Sequence, residues 1–161
     1  MVQRQLLAAI GFMELGMFQE AVEELESLPP EVRESTTVLA VWLDVYQTWQ
    51  KWTEALAVAS RLIEADPENP DWRVALAYST RRTRGLLFAR QILLEAVAKF
   101  PHCAVIHFNL GCYAAQLGNL DEARGCVSEA IRLDKQCEQL ANTDPDLAPL
   151  RAEFHGNGGK N

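Results

Sequence analysis

The sequence predicts an all-α protein built from antiparallel helix pairs. One observation is a recurrence of small residues, since four alanines stand 34 residues apart, at Ala21, Ala55, Ala89 and Ala123. A second is that apolar residues recur around each of these alanines at the three- and four-residue spacing of helices. A third is that Gly and Pro residues separate the apolar runs. Such a period is typical of arrays in which each helix pair covers the next.

Length and composition set the class of protein. The chain has 161 residues, 48% of them hydrophobic, which is enough for one continuous core. No apolar run reaches membrane-spanning length and the N-terminus has no signal-peptide pattern, so we expect a cytoplasmic protein without membrane insertion. The net charge of −7 argues against nucleic-acid binding. The four cysteines contain no C-x-x-C pair, so we expect free thiols and no metal or cofactor.

The first two repeats, residues 2–35 and 36–69, are rich in apolar and aromatic residues. In the first, Gly16 separates two apolar helices, which hold Leu6, Leu7, Ile10, Met13, Val22 and Leu25. In the second, Ser35 is the expected N-cap of a helix with Trp42 and Tyr46 on its apolar face. Trp49 and Trp52 flank the following turn, where we expect them to pack in the core.

The third repeat, residues 70–103, is the basic part of an acidic chain. It holds six Lys and Arg residues against two Asp and Glu residues. Arg84 stands where repeats one and four have glycine, so we expect this turn to depart from the pattern. In the fourth repeat, residues 104–137, Gly111 and Ala123 mark a close helix crossing. Residues 138–154 are expected to cap the array and residues 155–161 to be disordered.

The fourth repeat carries a specific motif: His107, Leu110, Gly111 and Ala114 in one helix, then Ala123 in the next. This pattern resembles the tetratricopeptide repeat, with His107 at the position usually held by Trp. The resemblance implies a single domain over residues 1–154 that forms a right-handed α-solenoid. It also implies that the first helix of each repeat lines a concave groove that binds a protein or peptide partner.

Carried over by register, the resemblance assigns the groove positions. We expect the partner to contact Leu6, Ile10, Met13, Asp44, Gln47, Tyr78, Arg81, Arg82, Phe108, Asn109 and Cys112, with Asp71 and Val74 on the same face of the third repeat. Asn109 alone matches the carboxylate clamp of chaperone-binding members. Binding to a chaperone tail by that mode is therefore not expected.

The arginines allow two interpretations. Arg81, Arg82 and Arg84 end a helix, where cations complement exposed carbonyl groups. Alternatively, Arg81 and Arg82 bind an acidic side chain or C-terminal carboxylate of the partner, which the guanidinium group matches in geometry.

No enzyme is expected, because the histidines fall in no catalytic motif and no phosphate-binding glycine loop is present. The alternative to a binding scaffold is a structural subunit. In that hypothesis the uncovered first repeat forms a homodimer or joins a larger assembly through Leu6, Leu7, Ile10, Val22 and Leu25.

Overall fold

The computed structural model describes residues 1–156, and all regular structure in this range is helical. Eleven α-helices and one 3₁₀ helix follow one another. The α-helices are α1 Val2–Glu14, α2 Phe18–Glu26, α3 Pro30–Arg33, α4 Thr36–Thr48, α5 Trp52–Ala65, α6 Pro70–Thr83, α7 Leu86–Lys99, α8 Ala104–Gln116, α9 Leu120–Leu133, α10 Gln136–Thr143 and α11 Ala148–Gly156, and the 3₁₀ helix is Pro145–Leu147. The predicted all-α class is confirmed. None of the helices described combines the length and the apolar character needed to cross a membrane.

The helices form two compact units. The first comprises residues Met1–Thr83, and the second begins at Arg84. In the first unit α1 packs against α2 and α4, while α5 packs against α4 and α6. In the second unit α8 packs against α7 and α9. The boundary falls between the two helices of the predicted third repeat, and the single domain over residues 1–154 stays a prediction.

The four alanines that define the register are fully buried, each being 0% exposed. An alanine at such a position lets the backbone of the neighbouring helix come close. Around Ala21 lies one of the core clusters of the first unit, which includes Leu6, Ala9, Val22, Leu25, Leu28, Val38, Val41 and Val45. The 34-residue spacing therefore marks a position that is fully buried in each of the four repeats.

Three of the turns between paired helices share one backbone motif. At Gly16, Gln50 and Gly118 the chain takes a positive φ, of 74°, 61° and 80°. In each, the residue with positive φ donates its N–H to a carbonyl three residues back, and the next residue donates to a carbonyl five residues back. In the third repeat the positive φ falls instead on Gly85, one residue after Arg84. The predicted departure at Arg84 is thus a one-residue shift of the glycine.

The close crossing of α8 and α9 depends on Gly111. A Cβ atom at this position would lie 2.7 Å from Val127 Cγ2 and 3.3 Å from the carbonyl oxygen of Ala123. Only a residue without a side chain fits this approach. The predicted crossing at Gly111 and Ala123 is present.

The chain after α9 covers the end of the second unit. Leu147 and Leu150 are buried there, at 1% and 6% exposure. Arg151 ties the segment together, because its Nη1 donates to the carbonyl oxygens of Ala141 and Asp144, both at 2.8 Å. Helix α11 runs through Gly156, so His155 and Gly156, which we expected in a disordered tail, are helical. Residues 157–161, the rest of that predicted tail, lie outside the described residues.

Candidate functional site

A cavity of about 290 Å³ opens on the first unit between α4 and α6. One side chain of α4 and four of α6 line it: Gln47, Asp71, Val74, Ala75 and Tyr78. The α6 residues fall at i, i+3, i+4 and i+7, which places them on one face of the helix. The cavity therefore has an apolar wall, a carboxylate at one end and a phenol ring at the other.

Gln47 is held in place on the α4 side of the cavity. Its Nε2 donates to the carbonyl oxygen of Ala75 at 3.5 Å and to Ser79 Oγ at 3.4 Å. Ser79 is 0% exposed, so its hydroxyl is a fixed acceptor inside the first unit. These bonds link α4 to α6 beside the cavity.

Arg82 lies one helical turn beyond Tyr78 on the same face of α6, where two aromatic rings hold it. Its guanidinium carbon is 5.1 Å from the ring centre of Trp52 and 5.1 Å from that of Tyr78. The two rings meet edge to face, with centres 5.6 Å apart. One Nη atom of Arg82 donates to Tyr78 Oη at 3.3 Å, its only hydrogen bond to the described residues. Arg82 thus sits on an aromatic support and makes no hydrogen bond to the carbonyl groups at the end of α6.

The predicted site residues of the second and third repeats divide into two groups. Gln47 and Tyr78 line the cavity and Arg82 stands beside it. Asp44 and Arg81 do not line it: Asp44 is on the exposed side of α4 and Arg81 is half-buried in the last turn of α6. Although the residue as a whole is exposed, partial burial of the Asp44 carboxyl raises its pKa above the usual range, because burial disfavours the charged form.

Sequence reasoning missed Ala75 and the support that Trp52 provides. Trp52 begins α5, and the sequence favours core packing for its side chain. Its distance from Tyr78 in sequence gives no sign that their rings touch. The signal that could have found Ala75 is its place next to Val74 on the helical face already identified.

In the first repeat, the prediction that Leu6 lines a groove is wrong. Leu6 is 5% exposed and belongs to the core that α1 forms with α2 and α4. Ile10 and Met13 are half-buried and pack against the same core. The predicted dimer contacts of Val22 and Leu25 are also wrong, since these side chains are 8% and 0% exposed. Leu7 remains, at 60% exposure.

In the second unit, the groove assignments of Phe108 and Cys112 are wrong because both side chains are buried, at 7% and 3% exposure. The helix that carries them, α8, is enclosed by α7, α9 and the 3₁₀ helix. The register rule treats α8 like the earlier first helices and takes no account of the covering segment. Asn109 is half-buried, and its Nδ2 donates to the carbonyl oxygen of Val105 at 2.9 Å.

One group of metal-type donors occurs among residues 1–156. The Cys112 thiol and the carboxylates of Asp144 and Asp146 have donor atoms within 4.8 Å of one another. Asp144 caps the 3₁₀ helix, because its Oδ1 accepts the N–H of Asp146 at 2.9 Å. Gln116 Nε2 also donates to the carbonyl oxygen of Asp146 at 2.8 Å. These contacts give the group a structural role, which is to dock the covering segment on α8.

Residues 104–137 match the family model described as tetratricopeptide repeat. Comparison with curated proteins gives no match.

Three solved structures show the likeness over most of the chain. A MamA structure from MSR-1 is 22% identical, covers 84% of this chain and 78% of its own, and gives a TM-score of 0.65. TTC0263, a thermophilic TPR protein of Thermus thermophilus, is 20% identical, with coverages of 96% and 88% and a TM-score of 0.67. The pilF protein of Pseudomonas aeruginosa is 18% identical, with coverages of 99% and 77% and a TM-score of 0.65.

At these identities the structural likeness supports a shared fold and nothing more. The family model identifies one repeat, because it matches the helix pair α8 and α9 together with the turn that joins them. The buried alanines extend the same register through the other three repeats. Residues 104–137 thus match a tetratricopeptide repeat, and the chain is similar in fold to the tetratricopeptide repeat protein TTC0263.

Proposed function

We propose that the protein is a protein–protein interaction scaffold and that the cavity between α4 and α6 binds a peptide segment of its partner. Helix-repeat folds present extended surfaces for such contacts. The observation that carries the proposal is the arrangement at one end of the cavity, where Tyr78 closes the wall and Arg82 stands next to it. An apolar side chain of the partner enters the cavity, and a carboxylate of the partner binds Arg82.

The aromatic support explains why Arg82 is suited to this role. An exposed ion pair contributes little when a long side chain must first be ordered. Here Trp52 and Tyr78 already hold the guanidinium plane, so less conformational entropy is lost on binding. One N–H is used by Tyr78 and the other N–H groups face no acceptor among the described residues. Those groups are the donors for a partner carboxylate.

The test is to capture partners with the wild-type protein and with Arg82→Gln. We expect a partner that binds wild type and is lost or strongly reduced with the variant, because Gln has neither the charge nor the planar fork. Lys99→Gln is the matched control: Lys99 is also a last-turn cation stacked on an aromatic ring, with its Nζ 5.4 Å from the ring centre of Phe100, but it lies on α7. Equal capture by wild type and Arg82→Gln would contradict the assignment of Arg82.

A second candidate function, self-association through α1, has its own observation. Leu7 and Leu15 are 60% and 75% exposed, and with Gly11 between them they form an apolar stripe at i, i+4 and i+8. Gly11 has open space around it, so a second helix can approach closely there. Analytical ultracentrifugation of wild type and Leu7→Glu/Leu15→Glu tests this. A dimer that the double variant converts to a monomer supports self-association, and a wild-type monomer at all concentrations rules it out.

A further inference from the structure

The face of α6 that lines the cavity carries opposite charges at its two ends. Asp71 lies in the first turn and lines the cavity, and Arg82 lies in the last turn. Between them come Val74, Ala75 and Tyr78 on the same face. The order along the helix is therefore acidic, apolar, aromatic and basic.

Charges at helix ends also complement the helix dipole, and in α9 such charges are in addition paired with neighbouring side chains. Asp121 in its first turn pairs with Arg124, at 2.8 Å between Oδ1 and Nη1. Arg132 in its last turn pairs with Glu129, at 2.6 Å between Nη2 and Oε1. Both charged ends of α9 thus have partners of opposite charge on their own helix.

The charged ends of α6 differ from those of α9. Among the described residues, the carboxylate of Asp71 makes no ion pair, and the contacts of Arg82 are with the neutral rings of Trp52 and Tyr78. Asp71 lines the cavity and Arg82 lies beside it, so charges of opposite sign on a bound chain would complement both groups.

We propose, on the basis of the function proposed above, that the partner segment is bipolar. It carries a basic residue that pairs with Asp71, an apolar residue that enters the cavity, and an acidic residue that pairs with Arg82. Asp71 and Arg82 are eleven residues apart in α6, a rise of about 16 Å. In an extended peptide this distance corresponds to charged residues about five positions apart, with the apolar residue between them. The charges also fix the direction in which the segment lies along α6.

The experiment selects peptides from a phage-displayed library of random twelve-residue sequences, on immobilised wild type, Asp71→Lys and Arg82→Glu. We expect peptides selected on wild type to carry one basic and one acidic residue on either side of an apolar residue. Selection on Asp71→Lys should replace the basic residue by a second acidic one. Selection on Arg82→Glu should replace the acidic residue by a second basic one. A synthetic peptide selected on wild type should bind either variant about tenfold or more weakly, a loss of about 1.4 kcal/mol.

Matched controls distinguish the charges on this face of α6 from charges elsewhere on the protein. Glu54→Lys reverses an exposed first-turn acid on α5, and Lys99→Glu reverses a last-turn cation on α7. Both should select the wild-type pattern. If a reversal variant fails to melt cooperatively, Asp71→Asn and Arg82→Gln take its place, and each should lose selection for one of the two charges only.

The variant Ala75→Trp, which fills the cavity, distinguishes failure of the bipolar-partner proposal from failure of the proposed function. If peptides selected on wild type do not bind Ala75→Trp, yet Asp71→Lys and Arg82→Glu select the same charges as wild type, the bipolar partner is overturned and the proposed function stands. If wild type selects no peptides, or if they bind Ala75→Trp equally well, the proposed function is overturned together with this inference.

Discussion

Single residues in the turns determine how the two helices of each pair are joined in this protein. The turns at Gly16 and Gly118 place glycine at a positive φ, where it carries no steric cost. The equivalent turn of the second repeat uses Gln50 at a φ of 61°, which is strained for a residue with a Cβ atom. The same hydrogen bonds form in all three turns, so the backbone motif outweighs the cost of the side chain.

Gln50→Gly should therefore stabilise the protein. We expect a gain of about 0.5–1 kcal/mol in the free energy of unfolding, because relief of the left-handed strain exceeds the added freedom of glycine in the unfolded chain. Chemical denaturation measures this gain. Gly118→Gln is the reciprocal change and should lose a similar amount. A Gln50→Gly variant less stable than wild type would show that position 50 is not strained.

Part of the candidate site could be predicted from the sequence. Tyr78, Gln47 and Arg82 follow from the repeat register, because a helical face is a matter of spacing alone. The contact of Trp52 with Tyr78 and Arg82 could not be predicted in this way. It depends on how α5 packs against α6, and the rotamers that bring the two rings together are not encoded in spacing.

The 34-residue repeat rule, which assigns each residue a role from its position in the repeat, describes some helices better than others. The rule predicts the helix pairs and the crossing of α8 and α9, because both follow from the positions of small and apolar residues. It fails for Phe108 and Cys112, since the segment after α9 returns to cover α8. Such coverage is a long-range effect that the 34-residue period does not contain.

The crossing of α8 and α9 yields a prediction with an internal control. Gly111→Ala adds a Cβ atom against Val127 and the backbone of α9, and we expect a loss of about 1 kcal/mol or more in stability despite the better helix propensity of alanine. Gly125→Ala makes the same change within α9, but there the added Cβ atom would meet no atom of another part of the protein within 4 Å. It should gain up to about 1 kcal/mol. Urea denaturation of both variants measures the difference, and a stabilising Gly111→Ala would contradict the close crossing.

At the scale of the whole molecule, a repeat in the sequence specifies the fold more fully than it specifies the function. Four alanines in register predict the helix order, and each of them is buried. The composition shows that the third repeat is basic, but it does not show how the surroundings of its arginines differ. In the structure Arg82 lies on aromatic rings beside a cavity, whereas Arg84 lies over Phe88, 4.3 Å from its ring centre. The proposed binding site therefore depends on a local arrangement of side chains that the 34-residue period does not predict.

We propose that Arg82 binds a partner carboxylate beside the cavity between α4 and α6. The most direct measurement is isothermal titration calorimetry of the captured partner with wild type and with Arg82→Gln, alongside the thermal midpoint of both proteins. We predict that Kd rises about tenfold or more, as expected for loss of a preorganised charge-assisted contact, while the midpoint changes by only a few degrees. An unchanged Kd, or a loss of affinity that only follows a large loss of stability, would contradict the claim.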